Sequence, residues 1–470
     1  MCASPRQGLL PFRMEAAARP MDLTAQAGLT LVAETLAALG VEELVRAELR
    51  LGQRRRGWSP YAKLQWLVLM LAAGGERVED VRVLGRDAGL GRLLRRGTPS
   101  PDALHDFLGA FHAPEQMSGR PAAGAWIPVE NEALEALHRI NVALVAHAVL
   151  DHGPQQATLD LDATLIESRR REALAHYDGG RGYQPVAVVW AEEDLVVADQ
   201  YRDGNVPAGM RNVEVVERAL VALPTTVRER RFRGDSACYE EALLKRLWRE
   251  GVGFTISADL TRELRAVCVA PGVRWELLED RATEVVHAAE VEFAPGVWPK
   301  DAPPMRYVAV RFTGKQGRLF ADGSETKYLA VVSNREGVPA VELLRWHWQK
   351  AGTIEHVHDV TKNELGAGIV PSQKFGANAA WYRINLMTYN VLTVLKRHAL
   401  PERLREAQPR RLRYEVFSMA AEIRTHAREL TARLGVPPLT VDEMVASRGR
   451  LVALRERRRQ REEQHHLVLA

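Results

Sequence analysis

Residues 158–170 read TLDLDATLIESRR, which puts two aspartates, Asp160 and Asp162, inside a run that otherwise has strand character. Ionised carboxylates are disfavoured in strands and costly to bury without partners. Residues two apart on a strand project from the same face, so both acids look into one space. Two readings account for them. Either the strand ends here and its acids meet solvent and local backbone, or the strand carries a ligand for a divalent metal.

The segments that follow decide the fold class. TLDLDATLIES, VAVVWAE and LVVADQYRDG read as three successive strands with glycine turns between the first two. RNVEVVERALVAL is helical in pattern, RERRFRGDSA is a strand running into a loop, YEEALLKRLWREG is a helix and VGFTISAD a strand. Three strands followed by alternating helix and strand describe a mixed α/β core, whose first part is expected over 155–260. Over 261–335 the helical period vanishes, and WELLED, TEVVHAAEVEF, RYVAVRFTG and KYLAVVS form a β-rich block interrupting that core. Helices resume over 336–400, the expected last part of the core. The final stretch, 401–470, reads as helical and basic, with eight arginines against five glutamates in 401–433.

Ahead of the core, 26–150 is helical in pattern. LTLVAETLAALG, SPYAKLQWLVLMLAAGG and SPDALHDFLGAFH carry apolar residues at helical spacing, and each Ser-Pro pair has the form of an N-cap followed by proline at the first helical position. Short helices joined by tight turns suit a DNA-binding region. Between them VRAELRLGQRRRGW holds five arginines against one glutamate, which makes Arg54, Arg55 and Arg56 a candidate phosphate-contacting cluster or a solvated basic loop. Residues 1–25 read as a disordered tail.

Bulk composition narrows the classes. At 470 residues, 46% hydrophobic and 26% charged, the chain has the make-up of a multidomain globular protein. No apolar run reaches the roughly 18 residues of a membrane span, so no membrane partner is expected. Three scattered cysteines exclude a disulfide framework and a cysteine-based zinc site, and fit a cytoplasmic location. Only nine of the 64 basic residues are lysine. Arginine pairs bidentately with phosphate, so this bias is compatible with a nucleic-acid partner and equally with a GC-rich genome.

Two more acids join the pair in the opening strand. Asp235 follows directly on the strand RFRG, and Glu355 lies in the polar helical segment RWHWQKAGTIEHVHDVTKNE. Each alone is an ordinary loop or surface residue. Converging, such carboxylates hold divalent ions. Trp348, Glu355 and Lys362 recur every seven residues, so a continuous helix would set them on one face: an aromatic ring, an acid and a base for phosphate. His356 and His358, two apart, point in different directions and read as surface or supporting residues.

The order Asp162, Asp235, Glu355 resembles that of the DDE transposases of bacterial insertion sequences, in the branch with a β-rich insertion before the glutamate. LDLDAT, RGDSACY, AGTIEHVHDVTKNELGAG and GANAAWYRINLMTYNVLTVLKR carry the resemblance, with GGERVEDVRVLGRDAGL and PSPDALHDFL in the N-terminal part. Where that branch places a tyrosine and an arginine ahead of the glutamate and a lysine after it, this chain has Trp348, Ala351 and Lys362, with Lys350 beside the alanine. The resemblance implies an RNase H-like mixed-sheet core with Asp162, Asp235 and Glu355 as catalytic, metal-holding residues meeting at one point. It also implies two Mg²⁺ ions (or Mn²⁺), and double-stranded DNA as partner, both terminal inverted repeats and target, bound by a homodimer. Asp160 then supports Asp162 or is bonded elsewhere. Trp348, Lys350 and Lys362 are the expected DNA contacts near the glutamate. An inactive, repurposed DNA-binding protein and a stand-alone metal-dependent nuclease are the alternatives.

If the arginine cluster contacts phosphates, replacing Arg54, Arg55 and Arg56 with alanine flattens the slope of log K against log salt by up to about 3, at roughly 0.9 per phosphate. A DNA-binding titration across salt concentrations measures it, and an unchanged slope returns the cluster to a solvated loop.

Overall fold

The computed structural model describes residues 22–51, 57–121, 123–295, 305–317, 319–321, 323–435 and 439–469, with side chains through 464. Arg54, Arg55 and Arg56 lie outside the described residues, as does most of the expected N-terminal tail.

Five strands form the centre: β1 (Gln156–Ala163), β2 (Val186–Trp190), β3 (Leu195–Gln200), β4 (Glu229–Gly234) and β5 (Gly253–Ala258). β1 pairs antiparallel with β2 and β2 with β3, while β1 pairs parallel with β4 and β4 with β5. The resulting order, β3-β2-β1-β4-β5, with these directions is that of the RNase H fold. All residues of β2 and β3 are buried, as expected of strands covered on both faces.

The β-rich block is a meander, β6 (Glu276–Asp280), β7 (Glu284–Val291), β8 (Arg306–Gly314) and β9 (Thr326–Ser333). β9 pairs antiparallel with β5, from Ala330↔Ala258 to Ser333↔Thr255. The insertion therefore lengthens the core sheet to nine strands. It has a small core of its own, where Leu278, Val286, Val308, Val310 and Val331 pack against Leu343 and Leu344.

Helices surround the sheet. In the N-terminal part these are α1 (Leu29–Ala38), α2 (Val41–Glu48), α3 (Pro60–Ala73), α4 (Pro101–Gly109) and α5 (Glu132–Ala148). Ser59 and Ser100 cap α3 and α4 as the Ser-Pro pairs predict, accepting from Ala62 N and Ala103 N, each at 3.2 Å. α6 (Asn212–Ala222) and α7 (Glu241–Arg249) alternate with the later core strands, and α8 (Ala340–Trp348) and α9 (Ile354–Asp359) follow the insertion. Then comes α10 (Phe375–His398), buried almost all round. It packs on β3 and on α1, α3, α4 and α5, so the N-terminal helices share one continuous core with the sheet.

Burying a helix on every side requires that each polar group on it be matched. Arg383 bonds both oxygens of Asp199 on β3 at 2.8 and 3.0 Å and also Glu130. Burial pushes the Glu130 carboxyl upward, but Arg383 and Arg218 overcome this and hold it below its ordinary range. Asn390 accepts from Val196 N at 2.8 Å and donates to Val196 O and to Asn141.

Two expectations at the chain ends are corrected. Leu23–Thr24, placed in the tail, form a short strand. That strand pairs with Ala421–His426, which forms a hairpin with Glu429–Leu434 where only helix was expected. The hairpin buries Ala421 and Ile423 while its other side chains stay largely exposed, a period of two that the dense arginines and glutamates mask. The final helix, α11 (Val441–Leu469), packs on α1, and its Arg458 is buried with Nε donating to Ala38 O at 3.0 Å.

The opening pair of aspartates separates here. Asp160 is fully buried and faces Arg233 across the parallel β1–β4 ladder. The guanidinium bonds both carboxylate oxygens, Nε to Oδ1 at 2.6 Å and Nη2 to Oδ2 at 2.7 Å. Arg233 Nη1 also donates to Trp346 O at 2.7 Å, and Thr353 Oγ1 donates to Asp160 Oδ2. One ion pair thus ties β1 and β4 to the end of α8 and the start of α9.

Two outcomes follow from these buried groups. Asp160→Asn leaves the Arg233 charge unmatched and lowers stability by about 3–5 kcal/mol in denaturant unfolding, whereas Asp162→Asn changes it far less. Equal effects would place the structural load elsewhere. His347, bonded to Thr255 and Ser257 on β5, is pulled down to about 3 by burial from an ordinary 6.5. Its stabilising contribution is complete above pH 6.5 and is lost as pH falls toward 3, because the unfolded chain takes up the proton first. Replacing it with glutamine should remove a slope of up to about 1.4 kcal/mol per pH unit in that window, read from unfolding midpoints. An unaltered slope would show that His347 does not carry it.

Candidate active site

The parallel ladder between β1 and β4 ends at Leu161↔Gly234. The next residue on each strand is Asp162 and Asp235, so the register itself sets the two acids side by side. Gly234 is needed at this point, because a Cβ there would meet Cys238 Cβ at 2.6 Å and Sγ at 2.8 Å. Asp235 turns the chain out of the sheet by capping the short 3₁₀ segment Ser236–Cys238, its Oδ1 accepting from Ala237 N at 3.1 Å. Asp162 Oδ1 accepts from Ala163 N at 2.9 Å.

Lys350 supplies the positive charge. Its ammonium stands 3.4 Å from Asp162 Oδ2, and the side chain is only 10% exposed. Burial raises the Asp235 carboxyl above its ordinary value; Lys350 pulls it back, while neighbouring Asp162 raises it further. The site thus comprises two neighbouring acids and one lysine.

The third acid arrives on a separate element. The segment expected as one helix is broken: α8 ends at Trp348, Gln349–Gly352 is a 3₁₀ turn, α9 runs Ile354–Asp359, and Val360–Glu364 is a π turn. The stripe Trp348–Glu355–Lys362 is therefore corrected, since heptad spacing aligns residues only along an unbroken helix. Trp348 packs on the insertion, with Phe312 6.5 Å away and the Arg281 guanidinium 5.3 Å from its ring centroid. α9 lies against β1 and β2. Glu355 is exposed on it and Lys362 half-buried beyond it, and among the described residues no hydrogen bond or ion pair engages either side chain.

His358 is the residue that sequence reasoning underrated. It follows Glu355 by three positions, hence shares its helical face, but it is buried. Burial pulls it down to about 4 against the opposing influence of Asp162, so it is neutral at pH 7. Neither ring nitrogen meets full hydrogen-bond geometry among the described residues, but the Asp162 backbone stands near enough to act on the ring. The signal available in the sequence was the run IEHVHDV, in which Ile354, Val357 and His358 make the buried side of α9.

Asp162 and Asp235 offer the hard carboxylate oxygens that a divalent cation takes, beside the neutral imidazole of His358. Asp162 and Asp235 are brought together, with Lys350 at Asp162. Glu355 is not drawn in with them, and no group of three His, Cys, Asp or Glu side chains among the described residues is gathered closely enough to hold a metal.

Among solved structures, a cryo-EM structure of the piggyBac transposase synaptic complex with hairpin DNA is similar over 93% of this chain and 82% of that one, at 11% identity and a TM-score of 0.45. No curated protein matches the sequence. Residues 11–450 match the family described as Transposase DDE domain group 1. That match covers nearly the whole chain and includes all three acids; the chain belongs to this family of DDE transposases.

Proposed function

We propose that the protein binds the terminal inverted repeats of a bacterial insertion sequence, cleaves DNA there and transfers the 3′ ends to target DNA. The observation that carries this reading is the β1–β4 register, which sets Asp162 beside Asp235, with α9, the helix that bears Glu355, packed on β1 and β2. Asp162, Asp235 and Glu355 are the residues that would hold two Mg²⁺ ions, or Mn²⁺. Bound there, the ions would supply activation of a water or a 3′-hydroxyl and stabilisation of the leaving oxygen.

The chain's own residues position the DNA. Arg54, Arg55 and Arg56 contact backbone phosphates and carry the salt-dependent part of the affinity. Lys362, without an ion pair or side-chain hydrogen bond among the described residues, meets a phosphate near the scissile one as a point charge. Trp348 and Lys350, expected as DNA contacts, are instead engaged inside the protein, Trp348 with Phe312 and Arg281 of the insertion and Lys350 with Asp162. A homodimer would bring the two ends together, in the cytoplasm where the host DNA lies.

The test uses duplexes carrying the inverted repeats that bracket the gene. Asp162→Asn, Asp235→Asn and Glu355→Gln should each reduce cleavage by more than the roughly hundredfold that loss of an outer partner costs a metal site, with end binding retained. Parallel loss of binding and cleavage would assign the acids a structural role. Wild-type protein that binds ends but cuts none in Mg²⁺ or Mn²⁺ would favour the repurposed DNA-binding alternative.

A further inference from the structure

Lys350 occupies the position that a cation must take. Its ammonium lies at Asp162, its charge acts on Asp235 as well, and only 8% of the residue is exposed. Two neighbouring carboxylates repel one another, and burying them without a counter-charge is costly. Elsewhere in this protein buried carboxylates are held by bidentate arginines at 2.6–3.0 Å, as in Asp160–Arg233 and Asp199–Arg383. Here the partner is a single lysine at 3.4 Å, a point charge on a flexible four-carbon stem.

The backbone around it differs from that at the arginines. Arg233 and Arg383 sit within a paired strand and a long helix, whereas Lys350 sits in the 3₁₀ turn Gln349–Gly352 between α8 and α9. Ala351 and Gly352 next to it are exposed, and a Cβ on Gly352 would meet nothing within 4 Å. The far side of the turn is fixed, because Thr353 bonds both Lys350 O and Asp160. The lysine can therefore swing while α9 stays anchored.

We propose that Lys350 is a built-in, displaceable counter-ion: it offsets part of the negative charge of the Asp162–Asp235 pair in the metal-free protein and must leave that position when a divalent cation enters. This rests on the reading of Asp162 and Asp235 as metal ligands. An ammonium and a metal ion cannot share the same carboxylate oxygens, so metal affinity is set partly by the work of expelling the lysine. The lysine in turn keeps the metal-free site folded.

The experiment uses the full chain without DNA and reads Mn²⁺ binding by calorimetry together with thermal unfolding. Lys350→Met should bind Mn²⁺ about tenfold or more tightly than wild type, since one repelling unit charge at about 4 Å is removed. Without metal it should unfold at a lower temperature than wild type, and Mn²⁺ should restore most of the difference. Lys350→Gln, polar and of similar reach, gives a second removal of charge if the methionine variant does not fold. Lys350→Arg should bind no more tightly than wild type. Folded methionine and glutamine variants with wild-type or weaker Mn²⁺ affinity would overturn the counter-ion role while leaving the metal site standing. If wild type and every Lys350 variant bind no more Mn²⁺ than Asp162→Asn, the metal-site reading itself fails and takes this inference with it.

Discussion

The buried pair of Asp160 and Arg233 is the constraint on which the candidate site depends. Desolvating two charges costs several kcal/mol per ion, and only good geometry with further hydrogen bonds recovers it. Here the geometry is bidentate, and the remaining capacity of both groups is used to reach outward: Arg233 to the Trp346 carbonyl, Asp160 to the Thr353 hydroxyl. The pair therefore does more than join β1 to β4. It sets where α8 ends and where α9 begins, and so where Glu355 stands relative to Asp162. Trp346 is drawn into the same arrangement, with the guanidiniums of Arg233 and Arg335 at 5.2 and 4.4 Å from its ring.

A second set of arginines unites the two halves of the chain. Arg383 on α10 joins Asp199 of the sheet to Glu130 ahead of α5, and Arg458 on α11 reaches the end of α1. The arginine bias thus has an internal use beyond any nucleic-acid partner. A guanidinium presents several donors in a fixed plane and stays charged when buried, which a lysine does not do as readily. Because α1, α3, α4 and α5 all rest on α10, which also covers β3, the N-terminal helices and the sheet form one packed body.

The candidate site is incomplete. Two acids stand at strand ends, one lysine offsets part of their charge, and Glu355 lies on a short helix with no hydrogen bond or ion pair among the described residues. His358 beneath that helix is held neutral by burial. Rigidity lies in the Asp160–Arg233 pair behind the site, and freedom lies in the exposed turn before α9. That division suits a site whose cation and substrate arrive from outside.

The sequence by itself determined the type and order of the core elements, since period-two apolar runs and capped helical runs are local properties that survive without tertiary context. TLDLDATLIES, RFRGDS and the β-rich block were legible for that reason, and so were Asp162 and Asp235 as strand-end acids. The partner of Asp160 was not legible, because Arg233 is 73 positions away and meets it only through a parallel ladder whose register no local pattern encodes. The break between Trp348 and Glu355 was hidden too: QKAGT contains no proline, and the turn is imposed by the Arg233 and Thr353 bonds at its two ends. The burial of His358 likewise came from the packing of α9 on β1 and β2, and that of Lys350 from the 3₁₀ turn ahead of α9, which pairs it with Asp162; both look solvated in one dimension.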